Sequence, residues 1–142
     1  MTLKPAFACL FLVLSLLLPF VAGAQVVSEH AAKQTVLRYL EAQRQGDTHT
    51  MRSLIAGDLL EKKSTSLSNP TYPAYLSKTL GDAKFSIGRT EQLGPASISV
   101  QAFTTYRPGD TITKHYVLQP KSENGMESGA LLIHEEYDPE FR

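Results

Sequence analysis

From Lys84 to Tyr137 the chain alternates apolar and polar residues, and three turn signals, Gly94-Pro95, Pro108-Gly109-Asp110 and Asn124-Gly125, divide the alternation into four segments. A period of two puts successive side chains on opposite faces of a sheet, and short turns of this composition join antiparallel neighbours. The pattern predicts a four-stranded meander: Lys84 to Gln92, Ala96 to Arg107, Thr111 to Gln119 and Gly129 to Tyr137. Pairing across the turns fixes the faces, because a slip of one residue would exchange them. A turn centred on Gly94-Pro95 sets Ile87 opposite Ala102 and Phe85 opposite Thr104. One centred on Gly109 sets Tyr106 opposite Ile112, and one centred on Asn124-Gly125 sets Tyr116 opposite Ile133 and Leu118 opposite Leu131. One face then collects Phe85, Ile87, Ile98, Val100, Ala102, Ile112, Tyr116, Leu118, Leu131 and Ile133. The other collects Ser97, Ser99, Gln101, Thr105, Thr113, His115 and Gln119.

An apolar sheet face needs a cover, and the segment before the sheet is patterned to supply one. At about 100° per residue, Ala32, Val36, Tyr39, Leu40 and Gln43 fall in one stripe with Leu37 at its margin. Ala31 to Gln45 is therefore expected to be helical, with Val36, Tyr39 and Leu40 on the concave face of the sheet. Ser28 is placed to cap its start, Glu29 complements the dipole, and Gly46 can close its end in a left-handed conformation. Asp47 can cap a second helix, Thr48 to about Ala56, with Met51, Leu54 and Ile55 inward. Leu59 to Ser68 ends in a polar run and reads as a short helical turn leading into an exposed loop. Pro73 suits the first turn of another helix, Ala74 to Leu80, with Tyr75, Leu76 and Leu80 inward and Gly81-Asp82 stopping it.

Met1 to Ala24 is read apart from the fold. Lys4 gives a positive start, Ala6 to Leu18 is almost wholly apolar, and Ala22-Gly23-Ala24 offers small residues for cleavage, the signature of a secretory signal peptide. An uncleaved anchor is the alternative, but Pro19 breaks the apolar run short of the roughly 20 residues that span a bilayer. Cleavage after Ala24 would remove Cys9, the one cysteine, leaving Gln25 to Arg142 without disulfides, thiolate metal sites or a cysteine nucleophile. The expectation is a secreted or periplasmic protein with no membrane contact after cleavage, its residues 25–142 forming a single domain. With 14 basic and 14 acidic residues and no long run of either sign, the chain carries no nucleic-acid footprint.

Helices followed by a long antiparallel sheet, an α+β class, resemble the nuclear transport factor 2-like superfamily, the cystatin-like cone. The opening LRYLEAQRQGDTHTMRSLIAGD is similar to the family's usual beginning: an amphipathic helix, Gly-Asp, a short helix and an acid-marked loop. The resemblance implies N-terminal helices packed in the concave face of a curved sheet, a pocket in the cone, and dimers through the outer sheet face. That superfamily includes isomerases, dehydratases and many non-catalytic domains, so fold alone does not select a function.

The same register sets Lys114 between Thr104 and Glu135 on the concave face, a cross-strand ion pair among apolar and tyrosine side chains. Such a pair is either a structural bridge or a group that polarises a ligand. Lys114 and Glu135 are thus the candidate catalytic residues, and with Tyr39, Tyr106 and Tyr116 they make the expected ligand pocket. His30, His49, His115 and His134 have no metal-ligand spacing and read as surface imidazoles, with His134 and Glu136 sharing the outer face of the last strand by simple alternation. There is no GxSxG and no phosphate-binding loop, and neither cofactor nor metal is expected. Two functions stay open: a non-catalytic domain that binds a small apolar ligand or a protein partner or assembles with itself, and a small cofactor-free isomerase, dehydratase or cyclase. A continuous cone cavity of about 300 Å³ would favour the enzyme; a cone filled by Tyr39, Phe85, Tyr106 and Tyr116 would remove it. Phe103 and Val117 on the outer face mark the surface for a homodimer.

Overall fold

The computed structural model describes residues 26–139, so the signal-peptide reading of Met1 to Ala24 lies outside the described residues. Helices α1 (Glu29–Gln45), α2 (Thr48–Leu54), α3 (Gly57–Ser68) and α4 (Tyr72–Leu80) precede strands β1 (Lys84–Gly94), β2 (Ser97–Arg107), β3 (Asp110–Glu123) and β4 (Met126–Tyr137). The strands form one antiparallel sheet in the order β1-β2-β3-β4.

The caps of α1 are those the sequence predicts. Ser28 Oγ accepts from the Ala31 N–H at 3.3 Å, and Gly46 turns left-handed at φ 69°. α4 also approaches Gly46 closely: a Cβ there would lie 2.4 Å from the Pro73 carbonyl oxygen. The inward stripe of α1 is buried, and Tyr39, Leu40 and Val36 join Tyr116, Leu118, Val100, Ile133 and Met51 in a core less than 2% exposed. No helix among the described residues is long and apolar enough to cross a membrane.

Two helical segments differ from expectation. Residues 57–68 form a full helix, α3, where a turn and an exposed loop are predicted. Leu59 and Leu67 lie two turns apart on one face and are both buried, and the hydroxyls of Ser64 and Ser68 fold back 2.9 Å onto the carbonyls of Glu61 and Ser64. The polar tract is thus satisfied within the helix while its leucines bring it against the core and β4. In α4, Leu76 and Leu80 are buried as predicted, but Tyr75 is 60% exposed and stacks on Tyr72 with ring centroids 6.1 Å apart.

Register holds at the start of β1, with Phe85 opposite Thr104 and Ile87 opposite Ala102, and then shifts by one between Ile87 and Thr90, which pairs with Val100, and again between Gln92 and Gly94. Between β2 and β3 the hairpin is tighter than predicted: Ile112 pairs with Thr104 instead of Tyr106, a displacement of two residues that preserves the faces. Between β3 and β4 the register shifts first between Ser122 and Pro120, so that Leu131 meets Pro120 and Ile133 meets Leu118 instead of the predicted Leu118 and Tyr116. It shifts again where Val117 pairs with Glu135, leaving His134 as an extra residue on β4. This bulge moves every later residue of β4 by one and exchanges its faces. It lies where β4 is engaged along its free edge. The Ala56 N–H donates to the Ile133 carbonyl at 2.9 Å, Ile55 bridges Ile133 in parallel, and Gly57, at φ 53°, brings the start of α3 against the His134 ring.

Candidate functional site

The bulge decides which of two adjacent acids enters the cone. Glu135 stands opposite Val117 on the outer face and is exposed, so the predicted Lys114–Glu135 pair does not form. Glu136, predicted to face outward, stands opposite Tyr116 on the concave side with a side chain only 8% exposed. Lys114 reaches it diagonally and ion-pairs with Oε1. The second oxygen, Oε2, meets Lys63 Nζ of α3 at 3.3 Å, an ion pair without a well-formed hydrogen bond. One carboxylate on β4 is therefore held between two ammonium groups, one from the sheet and one from the helical layer.

Around this triad the cone stays open at its mouth. A cavity of about 180 Å³ is lined by Gln43, Lys63, Tyr72, Tyr75, Leu76, Thr79, Leu80, Phe85, Thr104, Tyr106, Ile112, Lys114, Tyr116 and Glu136. Of the predicted pocket residues, Tyr106, Lys114 and Tyr116 line it. Glu135 does not, and Tyr39 lies deeper, meeting Tyr116 edge-to-face at 6.0 Å and 68° to close the inner end. The cone is thus filled at its depth and open at its rim, and its volume falls short of the roughly 300 Å³ at which ordinary ligand pockets begin. Lys63, Glu136 and Tyr72 are lining residues missed at the level of sequence. The available signal for Lys63 was its place between Leu59 and Leu67, four residues from each, in the middle of what proves to be a buried stripe.

The electrostatics fix protonation at neutral pH. Burial raises the pKa of Glu136, but the fields of Lys63 and Lys114 outweigh it and hold the carboxyl below its ordinary value. Burial lowers that of Lys114, and the attraction of Glu136 outweighs it, leaving the ammonium above its ordinary value. Burial, and then the negative charge of Glu136, push the hydroxyls of Tyr39, Tyr72 and Tyr116 upward. Each of these groups moves away from neutrality, so the mouth presents fixed charges and protonated hydroxyls. A general base or acid works best with a pKa near the working pH, and none of these shifts goes in that direction. No group of three potential metal-ligating side chains occurs among the described residues.

On the outer face, Phe103 is half-buried among Ser86, Gln101, Thr105 and Thr113, whereas Val117, expected to be exposed, is 4% exposed. The apolar surface there is accordingly smaller than the alternation implies.

Helices seated in the concavity of a curved antiparallel meander, with a pocket at the open end, define a small α+β cone. No family model matches the sequence, and no curated protein is similar to it. Among solved structures, a nuclear transport factor 2-like protein of unknown function from Shewanella baltica superposes with a TM-score of 0.51 at 17% identity, over 75% of this chain and 88% of that one. The fold is the nuclear transport factor 2-like cone.

Proposed function

We propose that the chain is a secreted or periplasmic, non-catalytic domain of nuclear transport factor 2-like fold that holds a small ligand with an apolar body in the mouth of its cone. The observation that carries this is the joining of an open cavity of about 180 Å³ to groups whose charges are locked by one another. A cavity of about 150 Å³ is enough for benzene, so the mouth fits a molecule built on a single ring or a short branched chain. The isomerase or dehydratase reading is weaker, because Glu136 is too well paired to abstract a proton and Lys114 too firmly protonated to serve as a neutral amine. The leader signature of Met1 to Ala24 supports secretion. Pairing of two copies around Phe103 belongs to the same proposal.

Native mass spectrometry of protein purified from its own secretion compartment tests the ligand. The expected result is a retained small molecule that disappears in Thr104→Trp, which fills the cavity while circular dichroism shows the fold intact. Protein that retains nothing, and whose melting temperature no single-ring compound raises, would overturn the proposal.

A further inference from the structure

We propose that the mouth of the cone selects organic monoanions: a carboxylate on a one-ring or similarly small apolar body, with the carboxylate taken by Lys63 and Lys114 in competition with Glu136. This names the ligand class of the binding site proposed above and rests on that reading. Charge is the first support. The lining carries two ammonium groups and a single carboxylate, while Asp138, which also acts on Lys114, lies outside the lining. One positive charge in excess, partly desolvated, matches one negative charge on a ligand and opposes a cation.

Donor capacity is the second support. Each ammonium carries three N–H donors, six between them, and Glu136 engages them through one hydrogen bond to Lys114 and one loose ion pair to Lys63. Glu136 Oε2, although buried, accepts no well-formed hydrogen bond. Lys63 therefore holds donors that a second carboxylate can use, and Lys114, with 40% of its side chain exposed, is reachable from solvent. Charge-assisted hydrogen bonds of this kind are about twice as strong as neutral ones. Tyr72 and Tyr116 border the same space with hydroxyls that stay protonated, so they do not repel an anion.

The apolar part has its own walls. Leu76, Leu80, Phe85 and Ile112 line the cavity, and the stacked Tyr72–Tyr75 pair gives it an aromatic rim. A ring seated there leaves its carboxylate at the lysines, which is the polarity of an aromatic or branched aliphatic acid.

Isothermal titration of the mature chain at pH 7 with benzoate and with its neutral isostere benzamide tests the selection. Benzoate is expected to bind about tenfold or more tightly than benzamide. Lys114→Met should remove that preference, and Lys114→Arg should restore most of it. Glu136→Gln is the most discriminating variant: it frees both lysines from their internal partner and should strengthen benzoate binding several-fold, whereas a purely structural triad would loosen and weaken it. Equal binding of the two probes, unaffected by Lys114→Met, would overturn the anion selection while leaving the pocket as a ligand site. Weaker benzoate binding by Glu136→Gln would also overturn it. Absence of binding by both probes would overturn the selection too, and the ligand-binding function would fall with it if native mass spectrometry shows no retained molecule.

Discussion

Replacing Glu136 by Gln removes the charge that joins α3 to the sheet, and the cost can be bracketed from the exposure of the three side chains. An exposed ion pair contributes about 0–1 kcal/mol, whereas removing one partner of a fully buried pair costs about 3–5 kcal/mol. Glu136 is 8% exposed, but Lys63 is 22% and Lys114 40% exposed, so both ammonium groups recover part of their hydration when the partner is lost. An intermediate loss of about 2 kcal/mol follows, because glutamine keeps an acceptor but no charge. With a urea dependence of about 2 kcal/mol per molar, the unfolding midpoint at pH 7 should fall by about 1 M. The pH dependence gives the prediction its sign. The folded pKa of Glu136 is lowered from 4.5, so its stabilisation is present above that value and is lost as pH falls through the folded one. Urea unfolding of both proteins from pH 7 to pH 3 should therefore show curves that converge in acid. Equal stability at pH 7, or a gap that stays constant down to pH 3, would refute the assignment of Glu136 as the clamped carboxylate.

Three other substitutions probe the frame around the site. Val36→Asp puts an unpaired carboxylate at a position with no exposure on α1 and should lower stability by several kcal/mol, most of what a small domain possesses; an unchanged denaturation midpoint would contradict the packing of α1 on the sheet. Gly46→Ala forces a left-handed conformation on alanine and sets its methyl group against the Pro73 carbonyl, so thermal unfolding should show a loss of about 2 kcal/mol or more, and a neutral result would mean that α1 and α4 do not meet there. Phe103→Lys should shift a self-associating sample toward monomer in sedimentation equilibrium, and a wild-type protein already monomeric at high micromolar concentration would remove the outer face as a pairing surface.

What the sequence made legible follows from how local each signal is. Ser28, Gly46 and the apolar stripe between them specify α1 within a single segment, and the turn at Gly109 specifies strand faces that survive a two-residue error in pairing. The site depends on two features that are not local. Lys63 reaches the cone because α3 forms over a serine- and lysine-rich tract whose own propensity is modest, and Leu59 and Leu67 draw it onto the core. Glu136 reaches it because β4 carries one extra residue beside the chain that enters α3. Alternation cannot choose between Glu135 and Glu136, since they occupy opposite faces by construction and one bulge exchanges them. The physical choice is made at Ile133, where β4 receives the Ala56 N–H and the start of α3 crowds His134. The contact that seats α3 thus lies beside the bulge that turns Glu136 inward, and α3 then supplies the Lys63 that meets it. Helix and carboxylate are positioned at one junction. A change at Gly57, where a Cβ would meet the His134 ring at 2.8 Å, should therefore disturb both arms of the triad together.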